Sequence, residues 1–246
     1  MNNSSIGVSS LFECDLEQGL ILKEKLHKNF IGYIINGYHK EIDKICELVI
    51  QCQLSLLLEN FTTNINDKDT TNNNELNQGF IIHQWSLEKL KEVLSTPESL
   101  LVCIADIENN KLAGYLLFAS LKYLYEDISS QLGELILDNN VITEQQWKQY
   151  ISTIGVHYIK QIGVDKDYHR QGIGTHLIIL SQKQNSQGLC ALVLLSPYYN
   201  SASANCLEKN QFHPIGIWKK NTPEESVPFK AKLFIWPFTK IDHLNK

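Results

Sequence analysis

One run of residues combines the types and spacing that can hold a phosphate: Ile162-Gly-Val-Asp-Lys-Asp-Tyr-His-Arg-Gln-Gly-Ile-Gly-Thr-His-Leu177. A β-branched stretch gives way to a polar turn, and Gly172 and Gly174 then open a helix. Glycine lets the backbone approach a ligand closely, and the free amides and dipole of a helix's first turn attract an anion. A Rossmann fingerprint would put its glycines directly after the strand with a third small residue three positions on, whereas residues 165–171 intervene and Leu177 fills the third place. A Walker loop is excluded, because Thr175 follows Gly174 with no lysine. On the two glycines alone, a tight strand-to-helix turn without a ligand stays open as an alternative.

The elements that must position this run can be read on either side of it. Phe30–Asn36 is rich in β-branched and aromatic residues and reads as a strand. Ile42, Ile45, Val49, Cys52 and Leu56 recur at steps of three or four, which predicts a helix from about Glu41 to Leu58 with a core-facing stripe. Ser86–Leu94 reads as a short amphipathic helix with Ser86 as its N-cap and Lys89 where a capping box wants Glu; Thr96-Pro97 stops it. Leu100–Ile107 and Leu112–Ser120 form an antiparallel hairpin across the polar turn Glu108–Lys111. Residues 123–154 are an amphipathic insertion with a helix near Thr143–Ser152, capped by Thr143. The remaining order is a strand at His157–Val164, a helix from Gly172 to Lys183, a strand at Leu189–Leu195, a helix at Ser201–Lys209, and strands at His213–Lys219 and Lys232–Phe238. A short helix is expected at Leu16–Lys25, within an N-terminal extension, residues 1–28, that is assigned no chemistry. Seven asparagines between Asn60 and Gln78, with almost nothing apolar, make residues 60–78 a mobile loop.

Composition narrows the function class. The chain has 246 residues, 43% hydrophobic and 20% charged, so it holds enough apolar material for one mixed α/β domain over about residues 29–240. Its formal charge is −5, with no Lys/Arg block longer than a pair, so neither a nucleic acid nor an anionic membrane is an expected partner. Oligomeric state is not readable. Cys14, Cys46, Cys52, Cys103, Cys190 and Cys206 fall at irregular spacings without a Cys-x-x-Cys pair, so no metal site or disulfide framework is expected. With no signal-peptide pattern and no long apolar run, the expected location is the cytoplasm.

The wider context of the glycine run resembles a known family. Gly163-Val164-Asp165-x-x-Tyr168-x-Arg170-Gln171-Gly172-Ile173-Gly174, followed by an apolar helix and strand, is similar to the acetyl-CoA motif of the GNAT N-acetyltransferases. Ser196-Pro197-Tyr-Tyr-Asn200 and Cys206-Leu-Glu-Lys209-Asn-Gln-Phe212 resemble that family's downstream segment, with Asn200 and Phe212 twelve residues apart as its pattern asks. Ala113-Gly114-Tyr115 in the hairpin resembles its second and third strands. Three positions depart from the pattern. His169 stands where Gln or Arg is usual, and Leu207 and Gln211 replace the usual tyrosine acid and the glycine before the phenylalanine.

The resemblance implies a fold and a mechanism. The fold is an α/β (α+β) one with a mixed, mostly antiparallel central sheet, splayed between the family's fourth and fifth strands and flanked by helices. The fourth strand carries a bulge, expected here at Ile162-Gly163-Val164, whose freed backbone would pair with the pantetheine arm of acetyl-CoA. The amides of Arg170, Gln171, Gly172, Ile173, Gly174 and Thr175 would hold the pyrophosphate, and Asn200 would bind the pantetheine arm. The implied reaction is direct attack of a neutral primary amine, of a small molecule or protein, on the thioester in a ternary complex. Candidates for proton handling are His157, Tyr158, Tyr198, Tyr199, Glu126 and Glu134, with Tyr158, Glu134 and Tyr199 foremost. Tyr158 is expected on the face of the strand that Ile162 occupies, by alternation through Lys160. A catalytically silent acyl-CoA-binding regulatory domain is the alternative, because Leu207 stands in place of the tyrosine.

Overall fold

Val, Ile, Leu and aromatic residues dominate the middle of the chain in short runs broken by polar turns, and these runs become the strands of one sheet. The structure is a computed structural model that describes residues 8–12, 19–27, 29–57, 81, 84–129, 133–153, 155–220 and 229–237, with backbone alone at 9 and 126–129. Its strands are β1 (Leu20–Lys25), β2 (Phe30–Asn36), β3 (Leu100–Asp106), β4 (Lys111–Ser120), β5 (Gly133–Leu137), β6 (His157–Val164), β7 (Leu189–Ser196), β8 (His213–Lys220) and β9 (Phe229–Trp236). Its helices are α1 (Val8–Leu11), α2 (Ile42–Leu54), α3 (Leu87–Leu94), α4 (Leu121–Ser129), α5 (Glu144–Ser152), α6 (Ile173–Gln184) and α7 (Ser201–Lys209). The sheet runs β1-β2-β3-β4-β6-β7-β9-β8-β5. The β6/β7 pair is parallel and the other neighbours are antiparallel. A parallel pair needs a crossover, and α6 supplies it.

Two elements differ from the sequence expectation. Where the helix expected at Leu16–Lys25 falls on described residues, Leu20–Lys25, it is instead β1, an edge strand paired antiparallel with β2. Its alternation of half-buried and exposed residues has period two, which a one-face pairing selects over a helical stripe. The 123–154 insertion contributes β5 as well as α4 and α5, and β5 pairs with β8 at the opposite edge of the sheet. The loop expected at 60–78 lies outside the described residues.

The sheet is covered on both faces, which explains why β3 is buried along its full length. Tyr33, Tyr115, Leu117, Tyr158 and Cys190 point to one face and pack against α2 and α3. Ile34, Leu116, Phe118, Ile159 and Phe234 point to the other and pack against α6 and α7. Local sequence sets the helix starts. The Ser86 hydroxyl accepts from the Lys89 N–H at α3, and Thr143 and Gln146 complete a capping box at α5. Among the described residues, no helix is long and apolar enough to cross a membrane.

Gly114 of β4 lets α6 sit close to the sheet. A Cβ there would fall 2.9 Å from the Gly163 carbonyl oxygen and 2.9 Å from Ile173 Cγ2. Because the first neighbour is backbone, relief requires the strand or the helix to move. Gly114→Ala is therefore expected to cost about 1–3 kcal/mol in urea-unfolding measurements, whereas a loss under ~0.5 kcal/mol would show that this contact does not set the α6 position.

Candidate active site

The strands β6 and β7 pair only at His157↔Leu189, Tyr158↔Cys190 and Ile159↔Ala191. Beyond those three pairs they part, and the sheet opens between residues 160–164 and 192–196. On its other edge β6 stays paired to β4 as far as Val164, with a register shift opposite Leu117 and Phe118 that leaves Lys160 as the extra residue. The bulge expected at Ile162–Val164 thus lies at Lys160. A bulge puts two residues opposite one, so the alternation restarts and the faces exchange. Tyr158 accordingly sits on the α2/α3 face with Cys190, and Ile162 sits on the α6/α7 face with Leu116, not on the shared face the alternation predicted.

The ladder geometry gives the backbone orientation. The Asp165 N–H donates to the Ala113 carbonyl, so by alternation Gly163 and Gln161 also turn their polar groups toward β4. The N–H and C=O of Ile162 and Val164 then face the gap. The Val164 carbonyl accepts from Nε2 of His169 at 2.9 Å, which ties the following turn to the end of the strand. The departure from the family's usual Gln or Arg thereby receives a positional role. The bulge is held from the α2/α3 face. Tyr115 Oη donates to Gln161 Oε1 at 3.0 Å, Gln53 Nε2 donates to the same oxygen at 3.0 Å, and the Trp85 N–H donates to Gln53 Oε1 at 2.8 Å. Burial raises the Tyr115 phenol, so it stays protonated and serves as a donor.

After β6, a single 3₁₀ turn (Lys166–Tyr168) leads into Arg170 at φ 61° and Gly172 at φ 82°. Two left-handed residues turn the chain so that α6 starts beside the gap, and glycine carries the second without strain. Gly172 caps α6 without a side chain, and among the described residues no group accepts from the amides of Ile173, Gly174 and Thr175. Gln171 donates its N–H to the Tyr168 carbonyl at 3.4 Å. These amides, with the exposed Arg170 and with Lys209 of α7, surround one mouth of the gap, a cavity of about 510 Å³ on the α6/α7 side. The charged side chains on its wall, among the described residues, are cationic. An anionic chain suits it. Lys209 escaped the sequence reading because only the packing of α7 against α6 brings it there.

The second mouth opens on the α2/α3 side, with a volume of about 290 Å³. Tyr158, Trp85, Trp218 and Phe229 form much of its wall, with Lys160 and Gln161. Ile81, Ile162, Ser203 and Leu207 line both mouths, so the two meet beside Ile162. Asn200 caps α7, its side-chain oxygen accepting from the Ser203 N–H at 3.1 Å, and it borders the second mouth. Cys206 lines the first mouth, with its thiol pushed up by burial.

The remaining candidates stand elsewhere. Glu134 lies on β5 at the far edge of the sheet, exposed, opposite Lys219 and outside both mouths. Tyr198 and Tyr199, 37% and 46% exposed, sit between β7 and α7 without lining either cavity. The Glu126 side chain lies outside the described residues. His157 Nδ1 donates to the Gly155 carbonyl at 2.8 Å, its ring packs edge-on against Phe118, and burial lowers its pKa. It is a neutral structural group. Among the described residues, no cluster of His, Cys, Asp and Glu could hold a metal ion.

With this geometry in place, comparison with known proteins is decisive for the family. A model of the acetyltransferase (GNAT) family matches residues 63–212, more than half of the chain. The chain belongs to the GNAT acetyltransferase family. Among solved structures, the ribosomal-protein-S5-alanine acetyltransferase of Vibrio fischeri is 11% identical with a TM-score of 0.50, over 90% of this chain and 98% of that one. The Escherichia coli ribosomal-protein-S18-alanine N-acetyltransferase is 17% identical with a TM-score of 0.42, over 67% and 83%. Arabidopsis thaliana NAA60, solved with acetyl-CoA, is 15% identical with a TM-score of 0.40, over 62% and 83%. No curated protein matches the sequence. The Vibrio protein shares the GNAT sheet-and-helix fold over nearly its whole length.

The lowered pKa of His157 has a stability consequence. A histidine whose folded pKa lies below its unfolded value of about 6.5 binds more protons when unfolded, so it lowers stability as pH falls through 6.5. Urea midpoints are expected to fall between pH 7.5 and 5.5, and His157→Asn should show a shallower fall. An equal slope in both proteins would place the His157 ring in solvent.

Proposed function

We propose that this GNAT protein transfers the acetyl group of acetyl-CoA to a primary amine, with both substrates held at once in the gap between β6 and β7. The observation that carries this reading is the meeting of two mouths beside Ile162, where β6 and β7 part. The cationic mouth suits the pyrophosphate, held by the amides of Ile173, Gly174 and Thr175 with Arg170 and Lys209. The pantetheine arm then runs through the parted strands past Asn200, and the Ile162 N–H and C=O are placed to pair with it or to polarise the thioester carbonyl. The amine approaches from the aromatic mouth. Its nitrogen forms the C–N bond, the C–S bond breaks, the amine proton leaves through Tyr158 or a water beside it, and the thiolate of coenzyme A departs.

A covalent acetyl-cysteine route is disfavoured by the thiols. Burial pushes Cys46 up to about 12 and raises Cys52, Cys103, Cys190 and Cys206 as well, so none is a thiolate near neutral pH. Among the described residues, these five cysteines are free. The competing reading, a catalytically silent acyl-CoA-binding domain, is favoured by Leu207 at the junction of the two mouths.

Coenzyme A at millimolar concentration is expected to raise the thermal midpoint of the protein, and Gly172→Val, which forces a β-branched residue into a left-handed turn, should abolish that rise while leaving the circular dichroism spectrum folded. No shift in the unaltered protein would overturn the cofactor assignment. In turnover followed by free-thiol release, Tyr158→Phe is expected to lower kcat about 10²-fold with little change in KM for acetyl-CoA. Unchanged kcat would remove Tyr158 from the proton path. Cofactor binding with no release of thiol on any amine would favour the silent domain.

A further inference from the structure

The carboxamide of Gln161 has one allowed orientation, and groups outside the cleft fix it. A backbone N–H can only donate, so the atom of Gln53 that the Trp85 N–H meets at 2.8 Å is the oxygen Oε1. The other lobe of Gln53 is then Nε2, which also only donates, so the atom it meets on Gln161 at 3.0 Å is Oε1. The Tyr115 hydroxyl donates to that same oxygen at 3.0 Å. Gln53 and Tyr115 are fully buried. Because this chain of donors starts at a main-chain atom, neither amide can flip without losing a hydrogen bond in the interior.

What remains is Nε2 of Gln161. The oxygen takes both inward bonds, so the nitrogen occupies the lobe turned away from Tyr115 and Gln53. Gln161 is half-buried and lines the second mouth, one residue before Ile162. Among the described residues nothing accepts from this nitrogen, and it is not one of the polar atoms sealed in the interior. Two donors on the oxygen polarise the amide and strengthen its N–H as a donor. Fixing the bulge uses only the oxygen, so the outward donor is left for another partner. A donor held still at the edge of a cleft is preorganised for an oxygen that enters it. That oxygen belongs to the acceptor rather than to the cofactor, because Gln161 borders the mouth from which the amine approaches and not the cationic one.

Resting on the acetyl-transfer reading above, we propose that Gln161 sets acceptor specificity: its Nε2 donates to an oxygen that the acceptor carries within a few bonds of the amine, a carbonyl oxygen first, because a carbonyl only accepts. An amine anchored in this way is held beside the Ile162 backbone, next in the chain to the anchoring side chain. Gln53 and Tyr115 act through Gln161 and are positioning residues for the same contact.

Free-thiol release from acetyl-CoA is measured with two pairs of amines matched in size, 2-methoxyethylamine against butylamine and alaninamide against 3-methylbutan-2-amine. Both pairs are run on the unaltered protein and on Gln161→Glu, with kcat/KM expressed per neutral amine. The oxygen-bearing member of each pair is expected to lead by at least about fivefold, the scale of one hydrogen bond. Gln161→Glu keeps an oxygen for Tyr115 and Gln53 but turns an acceptor to the mouth, so it should reverse the preference, while calorimetric binding of coenzyme A shows that the gap still forms. An alanine-initiated tripeptide amide carries the same carbonyl, and the better of it and alaninamide identifies a peptide N-terminus or a free amino amide as the source. Equal kcat/KM within both pairs, or a preference that Gln161→Glu leaves unchanged, would overturn this assignment and leave acetyl transfer standing. Coenzyme A binding with no turnover of any amine would overturn both. The pairs on the unaltered protein decide the question even where the variant fails to fold.

Discussion

The parting of β6 from β7 after three residue pairs is the constraint on which the site depends. Two neighbouring strands that stay paired leave no gap, and a sheet buried on both faces then has no opening. Separation leaves backbone groups without ladder partners, and each buried orphan costs about 1–3 kcal/mol unless water or a ligand takes it. The fold confines that cost to the mouth of a cleft. It also fixes the bulge from outside the cleft, through Tyr115 and Gln53 converging on the one side-chain oxygen of Gln161. Removing a residue from that network would free the strand to slide back into pairing. The polar cluster under β6 is thus the counterpart of the opening above it.

The same parting explains why the start of α6, the proposed anion site, stands where it does. A right-handed crossover from β6 to β7 must climb over the α6 face, and its helix starts at the end of β6, where the strands separate. Left-handed Arg170 and Gly172 shorten that climb to one tight turn, and His169 fastens the turn to the Val164 carbonyl. Helix start, gap and bulge are therefore one arrangement. Gly114 contributes from β4 by letting α6 approach the sheet on which it rests.

Much of this was legible in the residues, and the rest has a physical reason for being hidden. The turn from Ile162 to Leu177 announced itself because glycines and a following apolar helix are local signals. The hairpin at Leu100–Ser120 did so because period, turn and β-branching agree. The position of the bulge did not, since any residue of a strand can be the extra one and the choice is made by Tyr115 and Gln53, distant in sequence. One misplaced bulge moved Tyr158 to the opposite face from Ile162. Glu134 failed for a related reason, as β5 joins the sheet through β8, a pairing that nothing in the insertion itself encodes. Lys160 and Lys209 come to the two mouths only through the tertiary structure, where the strands part around one and α7 packs beside the other.

On the proposed reading, Leu207 raises the question of how a thioester is cleaved without a tyrosine at that position. A thiol ionises near pH 8.5, so its thiolate leaves readily at neutral pH without prior protonation, unlike an alkoxide. The demand for an acid is correspondingly small, and a water entering from the wider mouth can meet it. With an amine as the proposed acceptor, the demand on its side is larger, because an alkyl ammonium near pH 10 must lose its proton before attack. The interior answers that demand by staying uncharged: the Tyr115 phenol and the buried thiols are held protonated and His157 is held neutral. In such surroundings an unpaired ammonium is destabilised and the free amine is favoured. Leucine at the junction of the two mouths extends that apolar surface, where a tyrosine would have brought a hydroxyl and with it water.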